Sequence, residues 1–124
     1  MDGKVDWSKI RHFTQSEFCC KCGCGGCDVH PQLVAALDLA RSKASVAFKV
    51  NSGFRCQRHN KAVGAKPTSS HTRGLAVDIA YPNGMQGLAI LKALIPLFDR
   101  IGIGENFIHV DIDPDKPSPV MWTY

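Results

Sequence analysis

His71 and Asp78 place an imidazole and a carboxylate seven residues apart, with only small Gly74 and Ala76 as notable residues between them. Another 31 residues on, His109 stands in the run Phe107-Ile108-His109-Val110-Asp111. Two neutral imidazoles and one ionised carboxylate suit zinc. Three protein ligands leave a fourth position for water, as in hydrolytic rather than structural zinc sites. One zinc held by His71, Asp78 and His109 is therefore expected, bound more weakly in acid because the ligands must be deprotonated. Any one of these histidines alone would read as an ordinary core or surface residue; the spacing of all three carries the expectation.

Hydrolysis at such a site needs a carboxylate that takes a proton from water and passes it to the leaving group. Glu105 lies four residues before His109 and Asp111 two after it. On an unbroken strand Glu105, Phe107, His109 and Asp111 share a face. Glu105 is the preferred base and Asp111 the alternative, with Asp111 able instead to orient a ligating histidine from behind. Arg55 is the candidate anion clamp, since a guanidinium grips a carboxylate through two bonds or stabilises an oxyanion. Its alternative is a structural arginine on loop carbonyls. Ser69 either hydrogen-bonds substrate or closes its own loop, and His59, near Arg55, is a lesser candidate for the same cleft.

Positioning these groups requires a small set of elements. Thr14 followed by Glu17 has the form of a capping box opening a short helix. After the Gly- and Cys-rich stretch 19–28, a helix begins between Asp28 and Pro31, with Leu33, Val34, Leu37 and Ala40 on one side. Val46–Val50 reads as a strand leading into the turn at Ser52-Gly53, and 56–63 as a short helix. Leu75–Ala80 reads as a strand with His71 just ahead of it. Ala76, Asp78 and Ala80 then share one face, and Ala76 leaves room for a metal. Met85–Arg100 has the pattern of a second amphipathic helix that Pro96 kinks or ends. Residues 101–104 and 107–112 form a hairpin, and the tail 113–124 is Pro-rich, with Asp113 and Asp115 expected in solvent. Trp122 and Tyr124 close the core or wall a groove. The fold class is α+β, a small mainly antiparallel sheet with helices packed on it.

The 124 residues, 44% of them hydrophobic, fit a single domain with its own core, residues 1–12 being a polar lead-in. A net charge of +4 is mild and suits either an anionic surface or an ordinary basic protein. No basic cluster interleaved with aromatics points to nucleic acid. No apolar run approaches the ~20 residues of a membrane helix, and the first ten residues lack the apolar core of a secretory signal. Five of the six cysteines, Cys19, Cys20, Cys22, Cys24 and Cys27, crowd together and the sixth is Cys56. A thiolate metal site usually draws on two separated pairs, and a second pair is missing. Disulfides are therefore the stronger reading for a protein acting outside a cell, including a bridge to Cys56 that would pin the loop beside Arg55. Closing a loop of ~30 residues is worth about 3 kcal/mol in the chain-entropy model. Free thiols remain the third option.

The pattern Ser69-x-His71-x-x-Gly74-x-Ala76-x-Asp78 followed by a distant His resembles the zinc D-Ala-D-Ala carboxypeptidases and related phage endolysins. Asn51-Ser52-Gly53-Phe54-Arg55, followed by His59-Asn60, is similar to that family's Ser-Gly-Tyr-Arg segment. Phe13 to Phe18 and the Cys/Gly run resemble the start of its short, often phage-encoded members, so the likeness spans roughly residues 12–124. The resemblance implies the hedgehog-like fold and cleavage of peptidoglycan stem peptides, by a D,D-carboxypeptidase or an L-Ala-D-Glu type endopeptidase. It also implies an Arg55 role at the substrate, and an acid three residues before the last His, where this chain has Asn106. The expected partner is a peptidoglycan peptide, with no nucleic acid, no membrane insertion and a monomeric protein. Without a signal, a phage or prophage product released to the bacterial wall is expected. The alternative is a zinc-containing wall-binding or structural module on the same fold, without turnover.

Overall fold

The computed structural model describes residues 4–124. Three α-helices, α1 (Pro31–Ala44), α2 (Gln57–Ala62) and α3 (Gly84–Leu94), accompany five strands. These are β1 (Lys49–Ser52), β2 (Ala76–Ala80), β3 (Arg100–Ile103), β4 (Phe107–Asp111) and β5 (Val120–Thr123). They form one sheet in the order β1-β2-β4-β3-β5, antiparallel except for the parallel β3–β5 pair. The α+β class and mainly antiparallel sheet thus match the sequence expectation, with one parallel edge that the periodicity did not show.

The alternation in β2 sorts its side chains as expected. Val77 and Ile79 enter the core together with Ile101, Ile108 and Val110 from the neighbouring strands. Leu33, Val34 and Leu37 of α1 and Ile90 and Leu94 of α3 cover that face, leaving the other face of the sheet for polar residues. Helix α1 starts on His30, whose Nδ1 accepts from Gln32 N at 3.1 Å, with Pro31 at the first helical position where its missing N–H costs nothing. It stops at Ser45, in the left-handed region at φ 61°. Helix α3 ends at Leu94, two residues before Pro96, so the expected span to Arg100 is shortened and Arg100 opens β3.

The lead-in is less polar in practice than its sequence suggests. Val5, Trp7 and Ile10 pack against the core, and Trp7 and Phe13 both contact Phe18, with ring centroids 5.7 and 5.4 Å away. Asp38 on α1 anchors this arm by accepting from Arg11 N at 3.0 Å and His12 N at 2.8 Å. Thr14 and Glu17 form the anticipated box, Thr14 N donating to Glu17 Oε2 at 2.7 Å, on a 3₁₀ turn over Gln15–Phe18.

The segment carrying His71 is a second 3₁₀ turn, Ser70–Arg73, closed by Gly74 at φ 69°. A Cβ on Gly74 would stand 1.9 Å from the Asp28 carbonyl oxygen. Next to that close approach, Gly74 O accepts from His30 N at 2.9 Å. The glycine therefore has two duties, a left-handed backbone and the docking of the His71 turn under the start of α1. A left-handed L-residue alone costs roughly 1–2 kcal/mol, before any clash. We expect Gly74→Ala to destabilise the protein by about 2 kcal/mol or more in denaturant titration, and to weaken metal binding through His71. An unchanged midpoint would mean that the turn relaxes freely and is not pinned as described.

Candidate metal centre

The polar face of the sheet is organised by register. Asp78 of β2 pairs with His109 of β4, His109 pairs with Gly102 of β3, and Gly102 pairs with Trp122 of β5. One row across four strands therefore brings a carboxylate, an imidazole and an indole to a single line. Gly102 lets Trp122 lie close, since a Cβ there would meet the indole at 2.6 Å. The Trp122 ring consequently reaches His109, with centroids 5.4 Å apart. His71 arrives from the 3₁₀ turn above the row, its ring 5.3 Å from that of His109.

The hydrogen bonds select the nitrogens that face the centre. His71 Nδ1 lies 2.8 Å from Gly53 O. A carbonyl only accepts, so Nδ1 carries the proton and Nε2 keeps its lone pair, directed at Asp78 Oδ1 3.3 Å away. His109 sits between two carboxylates, Nδ1 at 2.9 Å from Asp78 Oδ1 and Nε2 at 2.7 Å from Asp111 Oδ2. In the neutral ring an Nε2–H donated to Asp111 leaves Nδ1 facing Asp78 and His71. Asp111 is itself held by Arg100 Nε at 2.6 Å and Asp113 N at 3.1 Å.

These distances fit a zinc ion. Ligand atoms about 2.1 Å from a tetrahedral zinc are about 3.4 Å from one another. The three candidate atoms of His71, Asp78 and His109 all lie within 4.8 Å, and the two closest pairs at 3.3 and 2.9 Å. His71 and His109 are 3% and 7% exposed, so a bound ion would meet solvent mainly from the cleft. Asp111 stands behind His109 at Nε2, the position from which a carboxylate would orient the imidazole toward an ion.

Electrostatics tie the cluster together. Burial disfavours the Asp78 carboxylate, but His109 and His71 outweigh it and hold its pKa far below the usual range. Burial likewise works against a charged His109, but Asp111 and Asp78 raise its pKa above the ordinary value. Asp111 is also lowered, by His109 and Arg100 against burial.

The centre opens into a cleft of about 540 Å³ lined by basic Arg55, Lys66, Arg100 and Lys116 and by aromatic Phe107, Trp122 and Tyr124. Arg55 is half-buried; a terminal nitrogen donates to Ser69 Oγ at 3.2 Å, whereas its buried Nε has no partner among the described residues. Ser69 Oγ also accepts from His71 N at 3.3 Å, so this serine closes the loop and steadies the arginine. Asp78 and Asp111 are the carboxylates lining the cleft among the described residues.

Other candidates lie elsewhere. Strand β4 begins only at Phe107, which breaks the face that was to align Glu105 with His109. Glu105 occupies the exposed turn, its carbonyl accepting from Tyr81 Oη at 2.9 Å, and it does not line the cleft. His59 does not line it either. Asp113, expected in solvent, is 2% exposed and accepts from Ser70 Oγ at 2.6 Å and from Arg73, whereas Asp115 is exposed as expected. Arg100 is the functional residue that sequence reasoning passed over. It binds Asp111 and stacks on Trp122, with Cζ 4.9 Å from the ring centroid, and its one sequence signal was position at the end of a misjudged helix.

A buried histidine–carboxylate–histidine centre at the floor of a basic cleft, on an α+β sheet, defines a candidate mononuclear metallohydrolase. The family model of peptidase M15 matches residues 11–111, and the chain belongs to that family of zinc D-Ala-D-Ala carboxypeptidase-like proteins. No curated protein matches the chain. Members of the family are generally zinc-dependent peptidases, in keeping with the donor set found here.

The charge cluster makes metal-free stability depend on pH in a defined direction. The raised His109 contributes fully below its unfolded value near ~6.5, and the contribution is lost as pH climbs through the higher folded value. The depressed Asp78 contributes above its unfolded value near ~3.9 and loses its effect as pH falls through the folded one. In chelator-treated protein we expect the melting temperature to peak between about pH 4 and about pH 6.5 and to decline towards alkaline pH. Added zinc should raise it most at the alkaline end, where neutral imidazoles are available. A flat alkaline limb in the chelated protein would contradict the cluster described.

Proposed function

We propose that this protein is a zinc metallopeptidase that cleaves peptidoglycan stem peptides, as a D,D-carboxypeptidase or an L-Ala-D-Glu type endopeptidase. The observation that carries the proposal is the convergence of His71, Asp78 and His109 at the floor of a cleft whose Arg55 keeps a buried, unpaired Nε. Zinc in this centre would supply an activated water and polarise the scissile carbonyl. His71 Nε2, an Asp78 oxygen and His109 Nδ1 would hold it. Arg55 has a donor to spare for a substrate carboxylate or a developing oxyanion. Lys66 and Lys116 add positive charge to the walls, which suits the acidic stem peptide. Trp122 and Tyr124 offer flat apolar surface to its backbone. The family likeness further supports the hedgehog-like fold, monomeric action at the bacterial wall and a phage or prophage source. Among the described residues no helix is long and apolar enough to cross a membrane.

Of the two candidate bases only Asp111 lines the cleft. It sits on the Nε2 side of His109, away from the Nδ1 that would face the ion, so in this proposal it orients that imidazole rather than carrying the proton. Asp111 fixes His109 through Nε2 and is the remaining cleft carboxylate once Asp78 is a ligand. One observation favours a second function, a zinc-containing wall-binding module. Both Asp111 oxygens are already engaged, by His109 on one side and by Arg100 and Asp113 N on the other.

Incubation with muropeptides, with and without chelator, followed by mass spectrometry separates the two. Zinc-dependent release of D-Ala or of stem fragments is the expected result; no product across both peptide classes and several pH values would leave the binding module. Asp111→Asn should lower turnover by ~10–100-fold and weaken zinc binding, as the loss of a ligand-orienting group does; a loss of ~10²–10⁴-fold with zinc retained would assign it the proton instead. Glu105→Gln should leave turnover nearly unchanged. A large loss in Glu105→Gln with zinc retained would instead bring the turn, and its carboxylate, into the reaction.

A further inference from the structure

The loop 19–28 is not the disulfide tether to Cys56 that its sequence suggested. Cys19 and Cys27 pair with each other, their Cα atoms 4.0 Å apart, and close the loop on itself. Cys20, Cys22, Cys24 and Cys56 keep free thiols. A missing second pair had counted against metal binding, but folding supplies the fourth sulfur singly. Cys56, at the N-cap of α2, lies against the loop.

We propose that Cys20, Cys22, Cys24 and Cys56 form a second metal site, a structural four-thiolate centre for zinc, separate from the histidine–aspartate centre and independent of whether that centre turns over peptide. The four Sγ atoms lie within 4.8 Å of one another. Three of their separations are 3.4 Å (Cys20–Cys22), 3.6 Å (Cys22–Cys56) and 3.8 Å (Cys20–Cys56). A disulfide needs sulfurs about 2.05 Å apart, so these are unbonded neighbours. A tetrahedral zinc with Zn–S bonds of about 2.3 Å has sulfur–sulfur edges of about 3.8 Å, close to the three separations among Cys20, Cys22 and Cys56, with Cys24 within 4.8 Å of the others.

The surroundings suit thiolates rather than thiols. Every sulfur of the four accepts an N–H. Cys56 N donates to Cys20 Sγ at 3.5 Å, Gly26 N to Cys24 Sγ at 3.4 Å, and His59 N to Cys56 Sγ at 3.4 Å. The Arg58 guanidinium donates to Cys22 Sγ at 3.6 Å. Donors aimed at the sulfurs, with one full positive charge, are what a site with excess thiolate charge requires. Four soft ligands and no open position mark a structural centre for a thiophilic ion, zinc before the harder divalent metals. Its mechanical effect is local. The ion would clamp a loop that has no helix or strand to the residue directly after Arg55, and so hold that arginine at the cleft.

Zinc content of protein purified in reductant with zinc present tests the proposal. Wild type should carry about two ions per chain, and His71→Ala and Cys56→Ser about one each. Cobalt substitution reads the ligands directly. A thiolate-to-cobalt charge-transfer band should appear in wild type and in His71→Ala and vanish in Cys56→Ser. Should Cys56→Ser fold poorly, Cys24→Ser, altered at an exposed position, should lose most of the band intensity while keeping the histidine-site ion. A single zinc that disappears entirely in His71→Ala, with no charge-transfer band, would overturn the proposal. So would a Cys56-linked disulfide in peptides mapped from folded protein purified without reductant. Failure of the histidine centre alone would show as zinc retained in His71→Ala and lost in Cys56→Ser, leaving this site standing.

Discussion

The pairing of β2 with β4 in the register Asp78↔His109 is the constraint on which the site depends. Strand side chains alternate with period two, so a slip of one residue would send Asp78 or His109 into the core and bring Val77 or Val110 to the cleft. The same register that buries Val77, Ile79, Ile108 and Val110 under α1 and α3 therefore aligns carboxylate with imidazole on the opposite face. Core packing enforces the geometry of the centre without any separate device. The hydrophobic face is specified by many side chains, so the Asp78–His109 row inherits a precision that two polar residues could not impose.

Burying so much charge has to be offset, and the structure does it by chaining groups rather than isolating pairs. Asp78 meets two imidazoles, His109 meets two carboxylates, and Asp111 meets His109 and Arg100. Arg100 passes the chain outward by stacking on Trp122 and donating to the Pro117 carbonyl. Each carboxylate thus has donors for both its charge and its geometry, the condition under which buried ion clusters are tolerated. The Pro-rich tail takes part in this. Strand β5 lies parallel to β3 and delivers Trp122, while Asp113 is buried against Ser70 and Arg73.

How much of this was legible in the sequence follows from how local each signal is. The alternation of β2, the α1 face and the cap at Thr14–Glu17 are short-range patterns, and all three were read with boundaries off by a few residues. The convergence of His71, Asp78 and His109 was legible because the residue types are chemically specific at characteristic spacing. Glu105 shares a face with His109 only if the strand runs unbroken through the turn before it; the pairing with β2 starts at Phe107, where the sequence also begins the strand, and Glu105 falls in the turn. Arg100, Asp113 and β5 were missed for a common reason. Each gains its role from a partner more than ten residues away in sequence, Asp111, Ser70 and β3 respectively, and a Pro-rich tail gives no periodicity to announce a strand. The cysteine pairing was illegible for the same reason: a disulfide is present, but between Cys19 and Cys27 rather than to Cys56, and the proximity of Cys56 to Cys20 and Cys22 is a property of the fold alone.

The two halves of the centre differ in how firmly they are held. Asp78 and His109 stand on adjacent strands in the middle of the sheet, but His71, Arg55 and Ser69 come from irregular backbone. That backbone is fixed by mutual bonds. Arg55 N donates to His71 O at 3.1 Å, His71 Nδ1 to Gly53 O at 2.8 Å, and Arg55 to Ser69 Oγ at 3.2 Å. The network is then moored to the N-terminal region through Phe54 N on Phe18 O at 2.9 Å. Phe18 is fully buried between Trp7 and Phe13. Anchoring residues far from the sheet therefore set the positions of His71 and Arg55. Loosening that region would leave the Asp78–His109 pair in place and displace its partners, so in this fold the loop side, not the sheet, limits how well the centre is preorganised.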